Sequence, residues 1–294
     1  MLVIHDPRCA DYGLLPHPEQ PARVTGTALH LRRAFPSWRW SESAEGVQDE
    51  TLLLAHTAEH LARLEVPWDF DADTSYHPEI AQHARRSVGA ALAAARHALS
   101  GGGPAFALMR PPGHHATQDE AMGFCYLNQV AIAALVARRD LGARRVAVWD
   151  FDAHHCNGTE AILLGREGFL VCSVHQNPGY PGTGLADSGN SRNWPVPPRC
   201  PRKEHMRALR ESLDAVVSFA PDLVIVSAGF DAYAHDPITE MALEEEDFAA
   251  LGGWLRGTGL AAAAVLEGGY SPDLPRLVAS FLGAWEAPGP DASF

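Results

Sequence analysis

At 294 residues, with 46% hydrophobic and 20% charged side chains, the chain has an ordinary globular make-up and length enough to bury a large core. A formal charge of −13 excludes the basic footprint that sequence-independent nucleic-acid binding needs; it suits a cationic substrate, or solubility alone. The start, Met1-Leu-Val-Ile-His-Asp-Pro, lacks the regions of a signal peptide, and no apolar run reaches the ~18 residues of a membrane span. Cys9, Cys125, Cys156, Cys172 and Cys200 are odd in number and contain no Cys-x-x-Cys, which suits reduced thiols. The expectation is a cytoplasmic protein with no nucleic-acid or membrane partner, monomer and homodimer both open.

Along the chain, a helical run from about Glu79 to Leu99 stops at Gly101-Gly-Gly103. Ala105–Met109 reads as a strand, Asn128–Arg139 as a helix, Val146–Asp152 as a strand, and Thr159–Leu164 as a short helix. Phe169–Val174 is strand-like, and Asn177–Cys200, rich in Pro, Gly, Ser and Asn, reads as loop. Glu204–Phe219 and Glu244–Arg256 are helical, Leu223–Ser227 and Leu260–Leu266 are strands, and Leu274–Leu282 closes the chain as a helix. Strands alternating with helices mean an α/β fold with an open, mostly parallel sheet, and continuous apolar strands such as Leu223–Val226 mean burial on both faces. No repeat or linker divides it, so 1–294 is expected to form a single domain.

The residues just past each strand carry the chemistry. Val146, Val148, Asp150, Asp152 and His154 share one face of a period-2 strand, and two carboxylates and an imidazole ending an apolar strand are costly unless a positive group neutralises them. His114 and His115 come after the strand at Ala105, Gly229-Phe-Asp231 after that at Leu223, and Glu267-Gly-Gly-Tyr270 after that at Leu260. Ligands of open parallel sheets bind at such carboxyl ends. Asp152, His154 and Asp231 would give O, N and O to one divalent cation and leave a place for water, the plan of a catalytic zinc site. The adjacent His114 and His115 suit proton transfer better than ligation, Asp150 would fix the tautomer of one of them, and Tyr270 would donate to a developing oxyanion.

These residues carry a resemblance. Arg110-Pro-Pro-Gly-His-His115, Gly123-Phe-Cys125, Asp150-Phe-Asp-Ala-His-His155, Asn157-Gly-Thr159, Ser227-Ala-Gly-Phe-Asp231 and Glu267-Gly-Gly-Tyr270 resemble the zinc-dependent histone deacetylase superfamily. They are closest to its class II-like branch of bacterial acetylpolyamine amidohydrolases and histone deacetylase-like amidohydrolases. His17-Pro-Glu-Gln-Pro-Ala-Arg23 and His56–Leu61 resemble its N-terminal signatures, so the match runs nearly the whole chain in order. The resemblance implies the arginase–deacetylase fold, with a sheet of about eight strands, and a single deacetylase-like catalytic domain. It also implies one Zn2+ on Asp152, His154 and Asp231, and hydrolysis of an N-acyl amide, acetyl above all, on a lysine side chain or similar amine. His115 would be the base toward the attacking water, His114 its partner held by Asp150, Asn157 the group behind His115, and Tyr270 the carbonyl-polarising hydroxyl. Gly123, Phe124, Tyr180 and Ile238 match tunnel walls, with Gly268 and Gly269 placed beside the substrate. A structural K+ is implied at Asp150, Ser173 and Val174 with the main chain of Asp152 and His154.

The chain departs from the pattern at Cys156, where the family has Gly and where a small buried residue is the simplest reading, and it is short between Leu64 and Pro78. An acetylpolyamine amidohydrolase is the alternative: some polyamine-selective relatives have a mouth glutamate where Ile238 aligns here, although Glu240 lies close by. Less favoured are an inactive reader of acyl ligands and an arginase-like dinuclear hydrolase, which would need a carboxylate at Cys156. His5, His30, His60, His83 and His97 read as ordinary surface or core histidines, and the stripe Leu52, Leu53, His56, His60, Leu64 as core with a solvated edge. Trp38 and Trp40 read as packing, and the Glu244–Asp247 run as a helix N-terminus.

Overall fold

Apolar, Val- and Ala-rich runs buried on both faces form the middle of one sheet, as their sequence demands. The computed structural model describes residues 1–13, 16–41 and 46–287. Its strands are β1 (Leu2–Ile4), β2 (Arg39–Ser41), β3 (Ala105–Ala107), β4 (Val146–Asp150), β5 (Phe169–Gln176), β6 (Ser191–Val196), β7 (Leu223–Ala228) and β8 (Ala262–Leu266). They form one 8-stranded sheet in the order β2-β1-β3-β8-β7-β4-β5-β6, with every pairing parallel. The helices are α1 (Ala22–Ala34), α2 (Asp49–Leu52), α3 (Ala58–Arg63), α4 (Ile80–Leu99), α5 (Gln129–Asp140), α6 (Asn157–Leu163), α7 (Arg202–Phe219), α8 (Glu245–Thr258) and α9 (Leu274–Glu286). Helices α4 and α5 pack on each other and on the central strands, α7 lies on β4, β5 and β6, and α9 packs on α1 and α8. Among the described residues, no helix is long and apolar enough to cross a membrane.

Two expectations are corrected. Strand β4 stops at Asp150 instead of running through Asp152, because the Asp152 N–H turns back to Asp150 Oδ1 at 3.1 Å and leaves the ladder. The segment 177–200 is not all loop: Ser191–Val196 pairs with β5. That strand forms the sheet edge, where Pro195 costs no ladder bond, so its polar, proline-bearing pattern hides it.

An aromatic cluster carries the strand ends. Phe151, between Asp150 and Asp152, packs on Phe230 and Phe281 at centroid distances of 5.9 and 5.4 Å, and Phe230, beside Asp231, packs on Phe248 at 5.3 Å. Alternation past the strand ends therefore sends the phenyl rings into the core and the carboxylates the other way, fixing the acids through buried neighbours.

Candidate metal centre and active site

The loops leaving β3, β4, β7 and β8 converge, and Asp152, His154 and Asp231 offer ligand atoms that all lie within 4.8 Å of one another. His154 Nδ1 is 3.1 Å from Asp152 Oδ1 and 2.8 Å from Asp231 Oδ2. Both carboxylates are fully buried, and their other oxygens are held by backbone: Asp152 Oδ2 accepts from Gly268 N at 2.7 Å and Asp231 Oδ1 from Ala153 N at 2.8 Å. Gly229 and Gly268 stand so close that a Cβ on either would strike Asp152 Oδ2. Only glycine admits the acids here.

A divalent cation fits this trio. A proton on His154 Nδ1 can point at one oxygen only, and Asp231 Oδ2 remains buried without a hydrogen bond; a cation between them meets all three donor atoms. Burial, followed by the charge of Asp152, pushes Asp231 up to about 7, and burial likewise pushes Asp150 and Glu267 up, Glu267 to about 7. So many buried carboxylates exceed what the histidines alone neutralise. The second cluster of donor atoms, His114, Cys125 and Glu267, fits a cation less well, because burial pushes the Cys125 thiol well up and keeps it neutral.

The tandem histidines separate electrically. His114 Nδ1 lies 3.2 Å from Asp150 Oδ2; burial opposes its charge, but Asp152, Asp150 and Glu267 prevail and hold it up at about 10. A dication beside Asp152 would remove part of that pull. His115 Nδ1 lies 2.7 Å from Asn157 Oδ1, and burial, then His114 and His154, push His115 well down. With Nδ1–H directed at an amide oxygen, His115 presents Nε2 as an acceptor. Tyr270 is pushed well above its ordinary value by burial, then by Asp152 and Asp231 against the pull of Arg23, so its hydroxyl stays a donor.

A cavity of about 350 Å³ leads to these groups. His115, His154 and Tyr270 reach it, and of the expected walls Gly123, Phe124, Tyr180 and Ile238 line it. Tyr180 and Ile238 are 37% and 38% exposed while His115 is 4% exposed, which sets mouth and inner end. Phe124 is held at φ 67° with its ring 4.9 Å from His17 and 5.7 Å from Tyr270; such a conformation is kept where surroundings impose it, here by the Phe124 N–H to Thr74 Oγ1 bond at 3.1 Å. A Cβ on Gly123 would strike His115 and Tyr180, so the tunnel is narrow at that point. Gly268 and Gly269 do not line the cavity; Gly268 backs Asp152, and Gly269 O accepts from Arg23 Nε at 2.7 Å. Glu240 points outward to Arg199, at 3.4 Å. Asp150 and Ser173 are register partners, so the residues of the expected potassium site are neighbours; Ser173 Oγ also lies 2.9 Å from His175 Nδ1.

Sequence reasoning missed His17, Pro18, Ala72 and Asp73 as lining residues. The signal for His17 was present in its His-Pro-Glu motif; Asp73 sits in the short stretch after Leu64, which has no periodicity to place it. Glu267, named in the strand-end motif but given no role by the sequence, has one here: its Oε2 accepts from Gly113 N and His114 N at 2.7 and 3.2 Å, tying the β8 turn to the histidine loop. Cys156 is buried, and burial pushes its thiol well up, so it fills space.

A model of the histone deacetylase domain matches residues 17–284. A probable deacetylase of Methanothermobacter thermautotrophicus is 39% identical over 290 residues, 93% of this chain and 86% of the relative. A histone deacetylase-like amidohydrolase of Pseudomonas aeruginosa is 38% identical over 251 residues, 78% of this chain and 66% of the relative. The crystal structure of an acetylpolyamine aminohydrolase from Burkholderia pseudomallei superposes with a TM-score of 0.87 at 28% identity, covering 98% of this chain and 99% of that one.

Proposed function

From the premise that this chain belongs to the histone deacetylase domain family, whose deacetylase and amidohydrolase members hydrolyse acetyl amides, we propose that it is a zinc-dependent amidohydrolase that removes an acyl group, acetyl first, from a lysine side chain or similar amine. One observation carries the reading: Asp231 Oδ2, buried and without a hydrogen bond among the described residues, lies with ligand atoms of Asp152 and His154 within 4.8 Å of one another, beside the cavity that His115 and Tyr270 enter.

Asp152, His154 and Asp231 would hold one Zn2+, which when bound supplies a Lewis acid for the acyl carbonyl and for water. Gly123, Phe124 and Tyr180 confine a slender acylated chain and exclude bulk water from the inner end. Tyr270 donates its hydroxyl to the carbonyl oxygen as charge develops there. His115 accepts the proton of the attacking water at Nε2, with Asn157 fixing its tautomer, and passes it to the departing amine nitrogen. His114, held charged against Asp150, offsets the negative charge of the tetrahedral stage; titratable neighbours pushed apart in this way divide acid and base work. Asp150, Ser173 and Val174, with the main chain of Asp152 and His154, would take a structural K+. The whole of 1–294 acts as one catalytic domain, and five free cysteines suit a reducing cytoplasm.

An acetylated polyamine is the second reading, favoured by Asp73 at the tunnel wall, a carboxylate able to hold a distal ammonium; relatives named acetylpolyamine amidohydrolase keep it in view. An inactive reader has less support, because every proton-handling group is in place, and a dinuclear hydrolase has less because the buried Cys156 supplies no carboxylate. A panel of acetyl-lysine peptide, acetylputrescine and acetylspermidine, run on chelated and zinc-reconstituted protein, decides. Zinc-restored acetate release with the peptide fastest is expected; polyamine preference moves the chain to the second reading, and no turnover of any amide at full zinc content ends both.

A further inference from the structure

A groove of about 1090 Å³, larger than the catalytic cavity, lies at the amino ends of the strands, where β4 and β5 begin and α5 and α7 end. Arg138, Arg139, Arg144, Arg145 and Arg166 line it, with Glu167 the one acid among its lining residues. The chain as a whole has 23 Lys and Arg against 36 Asp and Glu, so this wall reverses the balance of the molecule.

Two of the five arginines have structural work. Arg138 donates to Glu167 O at 2.6 Å and Arg144 O at 3.3 Å, and Arg139 pairs with Asp140 at 2.6 Å. Both sit in the last turn of α5, where the helix C-terminus favours a cation. Neither explanation covers the others, which stand in loops. Among the described residues Arg166 bonds Leu54 O alone, at 3.5 Å, and Arg145 lies over the Phe219 ring at 5.7 Å. Among the described residues, no carboxylate forms an ion pair with the guanidinium of Arg144, Arg145 or Arg166. Their backbone is not loose: Asp222 Oδ2 accepts the N–H of Arg144 and of Arg145 at 2.7 and 2.9 Å, pinning that turn. Phe169 on the same wall is buried beneath the Arg138 guanidinium, 5.6 Å from its ring, and Phe219 is half-buried.

We propose that this groove binds a small phosphate-bearing molecule with a flat apolar part, a nucleoside diphosphate by class. Guanidinium forks match phosphate oxygens in pairs, several without a carboxylate ion pair suit more than one phosphate, and the half-buried Phe219 ring offers an apolar contact to a base. A concave groove confined to the start of β4 and β5 suits a small molecule and not a nucleic-acid strand, which needs an extended basic track. The site is separate from the amide chemistry, so neither reading depends on the other.

Calorimetric titration of the full chain with ADP and with inorganic pyrophosphate tests it, repeated on Arg144→Ala/Arg145→Ala and on Arg166→Ala. Both anions are expected to bind saturably, ADP the tighter for its base, and loss of a guanidinium is expected to weaken each about tenfold or more. These arginines lie at the surface, so circular dichroism and deacetylation of an acetyl-lysine peptide should be unchanged in the variants. Absence of saturable binding by either anion, or equal binding by the double variant, overturns the proposal. Tighter binding of a mixed-sequence RNA than of ADP also overturns it, by making the groove part of a nucleic-acid surface.

Discussion

Tyr270 shows how much a single hydroxyl is asked to do. Its backbone N–H is held by Asp236 Oδ2 at 2.7 Å, its ring lies 4.7 Å beneath the Arg23 guanidinium, and Arg23 grips Gly269 O. Arg23 in turn is paired with the buried Glu19, which Arg110 also holds; burial raises the Glu19 pKa, but Arg110 and Arg23 outweigh it and lower it. The hydroxyl is therefore aimed by backbone and ring contacts and not by a bond of its own. Tyr270→Phe is expected to keep the fold and the metal content while turnover falls by about 10²–10³, the usual loss of one oxyanion donor. Kinetics on metal-saturated variant, with zinc measured in the same sample, check this; an unchanged kcat would remove the hydroxyl from the reaction. The donor residues at the strand ends were legible in the sequence because acids ending apolar strands are chemically out of place. Glu267 also ends an apolar strand and stands in the Glu-Gly-Gly-Tyr motif, but its bonds to Gly113 N and His114 N come from a distant loop that only the fold brings near; Asp73, in an aperiodic loop, looks like an ordinary solvated acid until the fold turns it to the tunnel.

At the level of elements, legibility tracked burial. Central strands β4, β7 and β8 are apolar on both faces and were read directly, within two residues at their ends. Strands β1 and β2, of three residues each, and edge strand β6 were not, since three residues are too few to show a period and an edge strand is paired on one side only. Helix α8 was read from its acidic start, and the structure gives the reason: Glu244 and Asp247 form a reciprocal capping box, with Glu244 N donating to Asp247 Oδ2 at 2.8 Å. Glu244→Ala strips the cap from a helix whose Phe248 supports Phe230 and, through it, Asp231. The loss should be about 1 kcal/mol, seen as a melting temperature lower by roughly 2 °C with catalysis intact. A melting temperature equal to that of the parent would mean that packing against α9, and not the cap, sets where α8 begins.

Across the whole molecule, several buried histidines are kept neutral, and acid acts on them together. Burial, the sole cause acting on His205, holds its pKa down to about 4, and among the described residues neither ring nitrogen has a hydrogen-bond partner, on a helix face pressed against β5 and β6. The folded value lies below the unfolded one near 6.5, so below pH ~6.5 the unfolded chain takes up a proton that the folded chain refuses. The stability from keeping this imidazole neutral is thus whole above pH ~6.5 and declines as pH falls toward the folded pKa, by about 1.4 kcal/mol per unit and up to about 3 kcal/mol in all. His56, His83 and His175 are pushed down by burial in the same sense, to about 3, 4 and 4, so the parent protein should lose stability steeply through this window. His205→Leu replaces an unpartnered polar ring with apolar volume. It is expected to match or exceed the parent at pH 7 and to lose about 3 kcal/mol less between pH 6.5 and pH 4. Urea unfolding of both proteins at half-unit steps isolates the effect, because the other histidines and the metal ligands are common to the two and cancel in the difference. Parallel stability curves would mean that His205 exchanges its proton as freely in the folded chain as in the unfolded one, and that the acid limit is set at the carboxylate-rich end of the sheet.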